Sequence, residues 1–199
     1  MIYTGEMIIG EYFKEEPAYA CPRVKLSREA KTGKYIRLKR DLYEVDRSTP
    51  RVALAQAIFG PSYVSFDYAL SHYGMIPEYA YNVTCATFNK RKDKVFDTDF
   101  CSFYYTDVPD DVFSIGIECK DIDGYSYYMA TPEKALCDKL YTLSPVPNTK
   151  ELMRLLTEDL RIEESELRNL DSDNVFRYSE AYRTTNIKKL CTLLRRIKN

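Results

Sequence analysis

Pro61-Ser-Tyr-Val-Ser-Phe-Asp-Tyr-Ala-Leu-Ser-His-Tyr-Gly-Met-Ile-Pro77 is the stretch on which the reading of this chain turns. Tyr68, Ala69 and Tyr73 recur at helical spacing after Ser65, which predicts a helix capped by Ser65 and stopped by Gly74. Its counterpart is Thr131-Pro-Glu-Lys-Ala-Leu-Cys-Asp-Lys-Leu-Tyr141. There Thr131 is the cap, Pro132 takes the first helical position, and Glu133 lies in the first turn, where the helix dipole favours a carboxylate. Lys134 and Asp138 stand four residues apart, the spacing of a surface ion pair that contributes about 0.3–0.5 kcal/mol. Neither stretch carries the parts of a catalytic site.

Between these helices the pattern turns strand-like, with β-branched and aromatic runs at 82–88, 100–106, 113–119 and 125–129 and a hairpin signal at Asp123-Gly124. Ahead of them, Thr49 reads as a cap and Pro50 as the opening of a helix that ends at Gly60-Pro61. Further back, Ile8, Ile9, Tyr12 and Phe13 share one face of a helix over 5–15, and Pro17 and Pro22 interrupt the chain. A second helix over 23–32 stops at Gly33, and strands at 35–38 and 42–45 flank the basic turn Lys39-Arg40-Asp41. From Thr149 onward the chain reads as helices, the last with Ile187, Leu190, Cys191, Leu194 and Ile197 on one stripe that can pair with another copy or, the favoured reading, dock on the body. The expected fold is α+β. A small, shortened winged-helix head spans 1–47, a mixed α/β body with an antiparallel-rich sheet spans 48–199, and its helical tail starts near 149.

The chain of 199 residues is 45% hydrophobic, with 18 Tyr and 9 Phe, enough to bury a sizeable core. It has no apolar run of about 18 residues and no leader pattern, so neither a membrane span nor a signal peptide is expected. Six scattered cysteines without a Cys-x-x-Cys pair, and one histidine, cannot assemble a zinc site of ordinary spacing. We therefore expect reduced thiols, a cytoplasmic location, no metal and no cofactor. The net charge of −1 hides a segregation. Residues 23–51 carry ten Lys or Arg against four acids, residues 93–133 carry ten acids against two Lys, and 183–199 carry six basic residues and no acid. One end can meet a polyanion while the middle repels it.

An enzyme reading finds little to stand on. There is no Gly-x-x-x-x-Gly-Lys loop, and His72, the one histidine, sits inside the expected Ser65 helix. Pro109-Asp110 with Glu118-Cys-Lys120 matches the loose pattern of metal-dependent nucleases, and equally a polar turn followed by an edge strand. DNA binding has better support: Arg23, Lys25, Arg28 and Lys31 can face a duplex from the second helix, and Lys34, Arg37, Lys39 and Arg40 from the hairpin. Alternation puts Arg37 and Lys39 outward and Ile36 and Leu38 inward. A solvated basic hairpin is the plainer alternative.

Lys34-Tyr-Ile-Arg-Leu-Lys-Arg-Asp-Leu-Tyr43, then Ser62, Ser65, Ala69, Leu70 and Gly74, then Pro132, Glu133, Lys134 and Asp138 follow one another in an order that resembles the AbiEi-type antitoxins. These are transcriptional regulators of bacterial abortive-infection toxin–antitoxin pairs (type IV), and the resemblance covers about residues 34–141. It implies a winged-helix head that binds operator DNA and represses its own operon. It also implies a body that opposes a cognate nucleotidyltransferase-like toxin, with no catalysis of its own. Asp41 departs from the family, where a glycine commonly stands. The head is short by about one helix, which leaves open a second reading, a protein-contact module without DNA binding.

Overall fold

A computed structural model of the chain describes residues 1–15 and 20–198. The interruption expected at Pro17 falls outside them. The head runs β1 (Ile2–Thr4), α1 (Gly5–Glu15), α2 (Pro22–Lys31), β2 (Ile36–Lys39) and β3 (Leu42–Glu44), with an antiparallel sheet in the order β1-β3-β2. Strand β1 was not anticipated; three residues are too few to show a period. Gly33, at φ +82, ends the second helix as its position predicted. Ile8, Tyr12 and Leu26 form a small core between the helices and the sheet, while Leu38 points the other way into the core of the body.

The body continues through α3 (Arg51–Ile58), β4 (Tyr63–Val64), α4 (Phe66–His72), β5 (Val83–Thr87), β6 (Lys94–Asp97), β7 (Ser102–Asp107), α5 (Asp110–Phe113), β8 (Ile117–Ile122), β9 (Tyr125–Ala130) and α6 (Pro132–Thr142). Its six strands lie in the order β6-β7-β5-β4-β9-β8. The pairs β4–β5, β6–β7 and β8–β9 are antiparallel; β4–β9 and β5–β7 are parallel. The fold is thus α+β, as expected. Helix α3 covers one face, where the Tyr105 hydroxyl donates to the Ala55 carbonyl at 2.7 Å. On the other face α4 packs against α6. Cover on both faces explains why β5 is buried almost throughout instead of alternating.

Several local expectations need correction. Thr49 does not cap α3: Pro50 holds the cap position, and the buried Thr49 hydroxyl lies 3.5 Å from that of Tyr125. Residues 113–119 are not one strand, because Phe113 closes α5 and β8 begins at Ile117. Strands β4 and β6 were not foreseen, being short and set among helix-like or charged neighbours. The cap at Thr131 is as expected, its hydroxyl accepting from the Lys134 amide at 3.3 Å.

The tail comprises α7 (Thr149–Arg154), a π-helical turn (Leu155–Asp159), α8 (Glu164–Asn169), α9 (Ser172–Tyr182) and α10 (Thr185–Lys198). Asp171 caps α9, accepting from the Asp173 and Asn174 amides at 2.8 and 3.3 Å. Helix α10 docks its apolar stripe on α9, α7 and α6. All six cysteines are free thiols, four of them buried. Among the described residues no helix is long and apolar enough to cross a membrane.

Candidate nucleic-acid interface

The head carries a groove of about 610 Å³ lined by α2 and the β2–β3 hairpin. Arg23, Ser27 and Lys31 line it from α2, and Arg37, Arg40 and Tyr43 from the hairpin. Helical spacing of four puts Arg23, Ser27 and Lys31 on one face of α2, while Leu26 turns into the head core. Arg23, Lys31 and Arg40 have no hydrogen-bond or ion-pair partner among the described residues, so their charges remain available to a ligand. The groove is therefore lined by four cations, with the carboxylates of Asp41 and Asp99 beside them.

The other expected contacts divide. Arg28 is exposed on α2 but lies outside the groove lining. Lys25 reaches back to Glu15 at 3.7 Å and lies over the Tyr12 ring, 4.2 Å from its centre. Lys34 donates to Glu29 at 3.0 Å, and that hydrogen bond raises the Lys34 ammonium above its ordinary value. Burial works to raise the Glu29 carboxyl, yet hydrogen bonds from Tyr12 and Lys34 outweigh it and hold the group below its usual value.

Lys39 requires a correction. The pairing of β2 with β3 slips between Arg37 and Lys39, which turns the two side chains apart. Lys39 then donates to the Ala57 and Ile58 carbonyls at 3.3 and 2.6 Å. Those are unsatisfied acceptors at the C-terminal end of α3, where the helix dipole favours a cation. Lys39 ties the head to the body, and of the two only Arg37 lines the groove.

The motif residues from the two decisive stretches meet at a different place, inside the body. Lys134 and Asp138 form an ion pair at 2.8 Å with both side chains fully buried, so the expectation of a surface pair is wrong. Ala135, Leu136 and Cys137 are buried as well, because this segment of α6 is enclosed all round. Asp138 Oδ1 accepts from Lys134 and from the Tyr182 hydroxyl, and Lys134 also donates to Tyr182 at 2.5 Å. Oδ2 accepts from Tyr63 at 3.0 Å and from Ser65 at 2.6 Å. Four donors thus serve the two carboxylate oxygens, close to their full capacity.

Ser65 therefore makes no cap bond with its side chain; its hydroxyl is committed to Asp138. Burial first, and then the Asp138 charge, push the Tyr63 and Tyr182 hydroxyls well above the ordinary tyrosine value. Gly116, at φ +66, lets β8 approach: a Cβ there would lie 2.7 Å from Tyr178 Cζ and 3.0 Å from Lys134 Cβ. Among the described residues the cluster is closed to solvent, with Lys134, Asp138 and Ser65 fully buried and Tyr63 and Tyr182 nearly so. It clamps β4, the start of α4, α6 and α9 together.

The remaining motif positions are structural in the same sense. Ala69 and Leu70 are buried on α4, Gly74 ends it at φ +72, and Pro132 opens α6. Glu133 accepts from the Asp171 amide at 2.9 Å, and the buried Ser62 hydroxyl has no partner among the described residues. Sequence reasoning missed Tyr63 and Tyr182. Their distance along the chain from Asp138 hid them, and no local pattern marks such a contact.

The nuclease pattern is not assembled into a metal centre. Glu118 pairs with Lys120 on its own strand at 2.6 Å, and among the described residues no three His, Cys, Asp or Glu side chains converge where they could hold a metal ion. No protein-family model matches the chain, and no curated protein sequence matches it.

Proposed function

We propose that the chain is a cytoplasmic antitoxin of a bacterial toxin–antitoxin pair. In this reading its head binds operator DNA and its body opposes a nucleotidyltransferase-like toxin, without catalysis of its own. The observation that carries the DNA part is the convergence of Arg23 and Lys31 from α2 with Arg37 and Arg40 from the hairpin on one groove. Cations on two sides of a groove suit a duplex backbone, and each phosphate they contact releases counterions, so binding weakens steeply with salt. The antitoxin part rests on the ordered resemblance of the hairpin, the Ser65 stretch and the Pro132 stretch. The head has two helices before its hairpin among the described residues, one fewer than a full helix-turn-helix with a wing, which favours the second reading, a protein-contact head.

The test couples growth to DNA binding. The neighbouring gene is expressed from an inducible promoter, with the full chain or with an Arg23→Ala/Arg40→Ala variant. We expect the neighbour to arrest growth, both forms to restore it, and only the unaltered chain to retard DNA from upstream of its own gene. No arrest, or no rescue by the full chain, would remove the antitoxin reading. Rescue without any DNA retardation would leave the protein-contact head.

A further inference from the structure

The groove in the head is not lined by cations alone. Asp41, on the β2–β3 turn, and Asp99, on the bend between β6 and β7 of the body, share its walls with Arg23, Lys31, Arg37 and Arg40. Neither carboxylate forms a hydrogen bond or ion pair through its side chain among the described residues, although four cations line the same space. The fold therefore leaves both carboxylates in the groove with no cation at ion-pair distance among the described residues.

Both placements are built. Asp41 has a positive φ of 61°, uncommon for a residue with a side chain, and its carboxylate lies over Gly5 at the start of α1. A Cβ at residue 5 would sit 2.2 Å from Asp41 Oδ1, so the glycine makes the room. Asp99 comes from the body, whose strand β6 lies against β2 of the head.

We propose that Asp41 and Asp99 are specificity-determining residues that make the groove reject indiscriminate duplex. The inference rests on the DNA reading. A phosphate next to a carboxylate is repelled whatever the sequence. A base edge with an exposed amino group, cytosine N4 or adenine N6, instead donates to it. The two aspartates raise the free energy of every complex that offers them only phosphates, and specificity is a difference of affinities to which such repulsion contributes. Asp99 also gives the body a direct part in what the head selects.

The experiment compares the full chain with Asp41→Asn and Asp99→Asn. Each binds a short duplex of random sequence and the duplex upstream of its own gene, at one low salt concentration. Asparagine keeps the shape, and it tolerates positive φ, so the turn at residue 41 is preserved. Each variant is expected to bind the random duplex about fivefold tighter, the size of one unit-charge interaction across about 4 Å of water. The upstream duplex should gain less, so the ratio between the two falls. Unchanged affinity for the random duplex in both variants, or equal gains on both duplexes, would overturn the filter and leave the DNA reading standing. If the unaltered chain and both variants bound neither duplex, the DNA reading would fail and take the filter with it.

Discussion

Lys34 in the head and Lys134 in the body each hold a carboxylate at nearly the same distance, 3.0 Å to Glu29 and 2.8 Å to Asp138. Their surroundings differ. The Lys34 side chain is 56% exposed and its partner 20%, whereas both members of the body pair are at 0%. Water screens the first pair and leaves it a contribution of about 0–1 kcal/mol. The second has given up its hydration, and the Tyr63, Ser65 and Tyr182 hydroxyls stand in for the water. Distance alone says little about what an ion pair does. The head leaves this pair open to water, and the body uses one pair to fix four elements to one another.

The largest expected effect breaks that contrast directly. Lys134→Met leaves Asp138 buried without its cation, and urea unfolding should show a loss of about 3–5 kcal/mol. Lys34→Met should cost less than about 1 kcal/mol in the same assay. Similar losses for the two variants would show that burial does not separate the pairs.

A smaller effect sharpens the body side. Tyr63 and Tyr182 are held neutral in the folded chain above the ordinary tyrosine value of 10.0, by burial and then by the Asp138 charge. Below that value both states keep these protons and the contribution is fully present. As the pH rises past it, the unfolded chain releases protons that the native chain retains, so stability falls. Urea midpoints should therefore decline from about pH 10 upward. A Tyr182→Phe variant, lower in stability by about 1–3 kcal/mol at neutral pH, should decline less steeply. An equal alkaline slope in both chains would sever the decline from this cluster.

The features that the sequence disclosed are local ones. Thr131 and Pro132 act where their position along a helix put them, and Gly33 and Gly74 end helices because the left-handed turn they allow lies within a few residues. Ser65 has the same local signature as Thr131 but a different use, since Asp138, 73 residues away, takes its hydroxyl. The parallel pairs β4–β9 and β5–β7 join segments far apart in the chain, and no periodicity records such a pairing. A usable sign of burial did lie between Lys134 and Asp138. Ala135, Leu136 and Cys137 fill the turn between the two charges with apolar residues, and a helix that is apolar on several sides is an enclosed one. The basic groove was legible as a set of residues, but the slip in β2 that removes Lys39 from it was not.

That slip supplies the comparison with the smallest expected effect. Plain strand alternation puts Arg37 and Lys39 on one face with one role; the bulge gives them two. Lys39→Ala removes the cation from the Ala57 and Ile58 carbonyls, and should lower stability by about 1–2 kcal/mol. Any change it makes in DNA affinity would come through the placement of the head, so the dependence of log affinity on log salt should keep its slope. Arg37→Ala should leave stability within about 0.5 kcal/mol, because the side chain is exposed and its one bond, to the Lys39 carbonyl, is 3.4 Å long. Yet it should flatten the salt dependence by about one unit, the signature of one lost phosphate contact. If Lys39→Ala flattened the slope and Arg37→Ala did not, the lysine would be the residue that meets the backbone, and the division of labour along β2 would have to be reversed.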